Sequence, residues 1–84
     1  MEERSIGKVT HYYSHLNVAT LELTEPLRVG DEIHIKGHTS DFRQRVESMQ
    51  VEHETVTEAA PGAKVAIQVV DHAREHDLIF RVAP

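Results

Sequence analysis

The 84 residues predict an all-β fold, a small closed antiparallel barrel of six strands. Three observations point there. Leu27 to Gly37 reads LRVGDEIHIKG, a Gly-Asp turn leading into strict alternation, with Ile33 and Ile35 on one face and Glu32, His34 and Lys36 on the other. Ala59 to Val69 reads AAPGAKVAIQV, a Pro-Gly turn feeding an inward row of Val65, Ile67 and Val69. Connections are short, and no linker, repeat or low-complexity tract interrupts them, so residues 1–84 read as a single domain. A chain of this length buries only roughly 60–65% of its unfolded surface, which demands one continuous core. Closing the strands into a barrel also removes exposed sheet edges.

The first strand is expected over Ser5 to Tyr13, where Ile6, Val9 and Tyr13 break strict period two and Gly7 offers a place for a bulge. Ser14 to Asn17 turns the chain into a second strand, Val18 to Thr24, which alternates through Ala19, Leu21 and Leu23. Pro26 bars a helix interior in the lead-in to the third strand, and Gly30 is free to take positive φ. A hairpin follows at Gly37 to Asp41. The segment Phe42 to Glu54 fits two patterns: Phe42, Val46, Met49 and His53 at helical spacing, or Met49, Val51 and His53 alternating as a strand with Val46 at a bulge. Lys64 to Val70 forms the fifth strand. Asp71 to Asp77 is a charged loop or single helical turn, and Leu78, Phe80 and Val82 alternate in the last strand.

Composition narrows the chemistry. The four glycines, at 7, 30, 37 and 62, never take the GxxxxGK[ST] spacing of a phosphate-binding loop, so no nucleotide is expected. With no cysteine there is no disulfide framework, thiolate nucleophile or cysteine-ligated zinc. The start, MEERSIGKVT, is charged, and no run of about 18 apolar residues exists, which predicts a cytoplasmic protein away from membranes. Nine Lys and Arg against fourteen Asp and Glu leave a net charge of −5, a poor balance for general binding to a phosphate backbone. Ser5, Ser14, Ser40 and Ser48 lack an oxyanion signature such as GxSxG, and the acidic residues are spread along strands, so no assembled active site is expected.

Seven histidines stand out, at 11, 15, 34, 38, 53, 72 and 76. His11 with His15, and His72 with His76, have the i,i+4 spacing that on a helix would set two imidazoles around a zinc ion. The first pair straddles a strand-to-turn boundary, the second lies in a short loop, and no HExxH glutamate is present. They are weak metal candidates beside their ordinary role as polar outward-facing residues. Protonating all seven shifts the net charge from −5 to +2, so binding to a polyanion is expected to strengthen toward pH 5. The hairpin KGHTSDFRQR is the most cationic stretch. Lys36, His38, Phe42, Arg43 and Arg45 are the candidate RNA or partner contacts, an aromatic flanked by cations being suited to stacking a base and holding its phosphate. The alternative for Phe42 is capping the core. Tyr12 and Tyr13 are adjacent, so one ring points in and the other out.

The order of a VGD turn and a later PG turn resembles the second domain of elongation factor Tu and its translational GTPase relatives, across Ile6 to Val82. The wording IGKVTHYYSHLNVATLELTEPLRVGDEIHIKGHTSDF followed by VESMQVEH is similar to small translation elongation factor-like proteins, and to the barrel that ends some U32-type peptidases, a group associated with RNA modification. The resemblance implies a Greek-key-type barrel and favours a strand over Phe42 to Glu54. In the elongation factors this domain packs on the GTPase domain and helps hold the aminoacyl end of transfer RNA. Ala19 and Lys64 stand near where that pocket wants other side chains, so elongation factor activity is not implied. The implied role is a non-enzymatic binding module without a cofactor, docking a protein or ribonucleoprotein partner, with tRNA or rRNA among the candidates. Direct RNA binding through the 36–45 hairpin is the alternative, and histidine metal binding a remoter one.

Overall fold

Turn chemistry and alternation set most of the elements seen in the computed structural model, which describes residues 3–82. Among these there are ten strands and no helix: β1 (Glu3–Tyr13), β2 (Val18–Leu23), β3 (Leu27–Arg28), β4 (Glu32–Lys36), β5 (Asp41–Arg45), β6 (Met49–Val51), β7 (Glu54–Val56), β8 (Glu58–Ala59), β9 (Lys64–Gln68) and β10 (Leu78–Val82). Eight strands form one sheet in the order β5-β4-β10-β1-β2-β9-β6-β7, and β3 pairs with β8 separately. Every pairing is antiparallel. No helix among the described residues is long and apolar enough to cross a membrane.

The all-β expectation holds, whereas the closed six-stranded barrel does not form. Neither sheet closes its backbone ladder, because the end strands β5 and β7 do not pair with each other. The chain leaves strand geometry at Val46 to Ser48, and the short β3 and β8 pair outside the main sheet. The sheet nevertheless curls back on itself. The Gln44 side chain on β5 donates to the Gln68 carbonyl at 2.8 Å and accepts from the Val70 N–H at 2.8 Å, at the end of β9. One side-chain amide thus holds a seam where a strand ladder would otherwise run.

Inside the curl lie Ile6, Val9, Leu21, Leu27, Ile33, Ile35, Met49, Val65, Ile67 and Ile79, all buried. The expected bulge at Gly7 is present, as a register shift between Ser5 and Gly7 against β10. A second shift lies between Val9 and His11 against β2. There Val9 turns its N–H to the Asp77 carbonyl and its carbonyl to the His76 N–H, at 2.8 and 2.9 Å, docking the 74–77 loop on β1. That loop contains a turn and no helix. Gly30 takes the positive φ expected of it, 98°.

Two strand assignments change. Phe42 to Glu54 is neither a helix nor one strand; it is β5, an irregular step that buries Val46, then β6 entering a two-residue turn at Glu52 and His53. In β10 the Leu78, Phe80, Val82 row gives way to burial of Ile79 and Val82, with Leu78 left 46% exposed. Register explains it: Ile79 lies opposite buried Ile35, and Leu78 opposite Lys36.

Candidate functional site

The β4–β5 hairpin presents the densest array of interacting side chains, and alternation builds it. On β4, Ile33 and Ile35 point into the core, so Glu32, His34 and Lys36 face outward. Register then sets Lys36 opposite Asp41, His34 opposite Arg43, and Glu32 opposite Arg45. β10 brings Phe80 beside His34, their ring centroids 6.2 Å apart.

Although it lies on the outward row, His34 is buried. Its Nδ1 lies 2.9 and 3.0 Å from the two Glu3 carboxylate oxygens, and its Nε2 hydrogen bonds to Asp41. Arg43 donates to the same Glu3 carboxylate at 3.0 Å. Hydrogen bonds first to Asp41 and then to Glu3 raise the His34 pKa above its ordinary 6.5, against an opposing desolvation effect. Asp41 is lowered from 3.8, chiefly by the His34 hydrogen bond, with Lys36 and Arg43 adding smaller attractions. A carboxylate on each nitrogen holds the imidazole in one orientation and favours its protonated form. As a general base it would first have to lose a proton that both neighbours hold in place.

The residues proposed for RNA or partner contact are therefore gathered on one hairpin, but in a mixed-charge setting. Lys36 and Arg45 lie exposed on the outward row, each with an acid across the strand, and Arg43 is engaged by Glu3. His38 is exposed in the turn. Phe42 is half-buried and packs against the core, and its edge reaches a groove of about 280 Å³ shared with Thr39, Ser40, Asp71, His72 and Arg74. A larger groove, about 590 Å³, follows the seam beneath Arg43, Gln44, Arg45, Glu47 and Val70.

The histidine pairs take other partners. His11 contacts Glu75 at 3.1 Å and the Tyr13 ring at 4.3 Å, and His72 packs on Tyr12 at 4.5 Å. His15 and His76 are exposed in a turn and a loop. The i,i+4 spacings fall on strand and loop rather than helix, so they do not stack imidazoles on one face. Among the described residues no group of three His, Cys, Asp or Glu is placed to hold a metal ion. Tyr12 is half-buried and Tyr13 44% exposed, as their adjacency requires.

Sequence reasoning missed the burial of His34, because nothing in EIHIK separates it from its exposed neighbours Glu32 and Lys36. Only pairing of β10 with β4, and of β1 with β10, brings Phe80 and Glu3 to it. Asp77 was missed for the same reason. It is buried, accepts from the Arg74 N–H at 2.9 Å, and lies under Gly37.

Comparisons with known proteins place the chain as a whole beside others. No family model matches the chain. It is 36% identical over 76 residues to an uncharacterized protease of Methanocaldococcus jannaschii, covering 89% of the chain and 19% of that protein. It is 37% identical over 78 residues to a collagenase of Porphyromonas gingivalis, covering 90% of the chain and 22% of the collagenase. The chain thus spans about a fifth of the length of these relatives. Two solved structures of the C-terminal domain of a Geobacillus thermoleovorans protein assigned to the U32 peptidases share its fold. Their TM-scores are 0.86 and 0.89 at 23% and 22% identity, covering 90% and 95% of this chain and 96% and 93% of theirs. Relatives named as a protease and a collagenase overturn the expectation of a non-enzymatic, translation-factor-like binding module. What the chain resembles in sequence is one segment of peptidases, and in shape a U32 peptidase C-terminal domain.

Proposed function

We propose that this chain is a peptidase-associated domain, the counterpart of the C-terminal domain of U32-type peptidases, and that it works beside a peptidase catalytic region. The observation that carries this is the shape of the sequence match. About nine-tenths of the chain aligns with about a fifth of a protease and of a collagenase, as one domain aligns within a longer protein. The match in shape to a C-terminal domain over 95% of this chain supports the same reading. The His34 cluster fits such a role. It ties β1 to the β4–β5 hairpin through Glu3.

Association is tested by titrating the chain into the Porphyromonas gingivalis collagenase from which the matching segment has been deleted, using calorimetry. Saturable binding that the intact collagenase does not show is the expected result. Equal heats with the intact and shortened enzymes, or none with either, would remove the proposal.

A further inference from the structure

The seam held by Gln44 carries a more specific inference. The Gly37 N–H bonds to the Ser40 carbonyl and the Val46 N–H to the Asp31 carbonyl. With the β4–β5 register, alternation turns the backbone groups of Phe42 and Gln44 toward β4, and those of Arg43 and Arg45 outward. β5 ends the sheet, so these outward groups have no strand partner among the described residues. Across the seam, Gln44 supplies a side-chain amide that donates to one backbone carbonyl and accepts from one backbone N–H. Those are the two bonds that the N–H and C=O of one residue in an added strand running parallel to β9 would make.

We infer that the seam beside β5 is a docking site for an extended peptide carrying acidic residues at alternate positions, whose backbone pairs with Arg43 and Arg45 and displaces the Gln44 amide from Gln68 and Val70. The groove along this edge is about 590 Å³. Its lining holds Arg43 and Arg45 with Glu47, in a chain of net charge −5; Arg43 also bonds Glu3 and Arg45 lies across from Glu32, so a peptide carboxylate competes with these acids for the two guanidinium groups. The two arginines are two residues apart, on the face where alternate side chains of a paired strand would lie. Val70, 75% exposed at the far wall, offers apolar contact to the intervening residues. Strand addition of this kind takes affinity from the backbone and selectivity from alternate side chains. The inference builds on the peptidase-associated role, since peptides are what peptidases handle. The two fail separately, one by loss of association with a catalytic region and the other by loss of peptide pairing in this chain alone.

The test is amide NMR on the whole 84-residue chain. The probes are an end-blocked hexapeptide of alternating Glu and Val, its Lys and Val counterpart, a Glu and Val version N-methylated at alternate peptide groups, and a short uridine RNA. Saturable shifts at Arg43, Arg45 and Val70 with the acidic peptide are expected, together with slowed hydrogen exchange of the Arg43 and Arg45 N–H groups. The N-methylated and lysine peptides should bind at least tenfold more weakly. Gln44→Ala, which removes the competing amide, should bind the acidic peptide about five- to thirtyfold more tightly, the equivalent of the two exposed hydrogen bonds that the amide otherwise gives up. Absence of shifts, equal binding of the N-methylated or lysine peptide, weaker binding by Gln44→Ala, or preferential binding of the RNA to the same arginines would each overturn the inference. Should Gln44→Ala fail to fold, the peptide series on the natural chain still decides.

Discussion

His34 shows how a residue unremarkable in sequence becomes the most constrained titratable group on the molecule's outer face. Its folded pKa lies above 6.5, so its contribution to stability is complete below pH 6.5 and is lost as pH rises through the folded value. Asp41 behaves oppositely. Lowered from 3.8, it contributes fully above pH 3.8 and loses that contribution as pH falls through its folded value. The pair is therefore strongest between those two limits. Denaturant titrations of the natural chain and of His34→Gln should show a stability difference that is largest near pH 5 to 6 and shrinks above pH 6.5. A difference that stays constant from pH 5 to 9 would mean that the imidazolium is not what holds the cluster. Treating the seven histidines as equal titrating groups consequently fails at His34, which keeps its proton to higher pH. Gly37 is the second telling residue. A Cβ there would overlap the buried Asp77 carboxylate. Gly37→Ala is expected to lower stability by about 1–3 kcal/mol, an overpacking cost, as measured by chemical denaturation. Unchanged stability would show that Asp77 can move away freely.

Among the elements, legibility followed periodicity. β2, β4 and β9 each carry enough alternating residues, with turn residues beside them, to be found from the sequence, whereas β1 departs from period two at the bulges beside Gly7 and Val9. β3 and β8 have two residues each and so no period to read. The β6–β7 hairpin was hidden for another reason. Its two-residue turn, Glu52 and His53, has φ of 53° and 66°, the left-handed pair for which hairpins usually carry Asn-Gly. Neither residue signals a turn, and the alternation of Met49, Val51 and His53 runs straight into it. Glu52→Asn with His53→Gly should relieve that strain and stabilise the chain by about 1 kcal/mol in thermal or denaturant unfolding. A loss of stability would mean that the two side chains make contacts worth more than the strain. The seam at Gln44 is the other feature that pattern could not show, because it depends on β5 meeting the end of β9 across the sheet. Gln44→Ala should cost about 1–2 kcal/mol, the sum of two exposed hydrogen bonds, and speed hydrogen exchange at the Val70 amide. Exchange at Val70 that matches the natural chain would show that the seam is held by other contacts.

For the whole molecule, turns and alternation predicted a β domain with one core, which the structure shows. They also suggested a closed ring of six strands, and there they stopped short. Closure depends on what happens between β5 and β9, where one glutamine stands in place of a ladder. The candidate hairpin was found from its cations, but its charge balance was not. Glu3, Glu32 and Asp41 come from three different strands, and only register sets them against Arg43, Arg45 and His34. The resemblance to peptidase C-terminal barrels pointed to the right relatives, while the translation-factor role drawn from the same wording did not survive comparison with a protease and a collagenase. Whether this domain can serve a peptidase is tested most directly by a chimera. The segment of the Porphyromonas gingivalis collagenase that matches this chain would be replaced by residues 1–84, and kcat/KM on gelatin compared with that of the intact and the shortened enzymes. Recovery of activity above the shortened enzyme is expected. A chimera that folds, yet is no more active than the shortened enzyme where the intact one is, would contradict a peptidase-associated role for this chain.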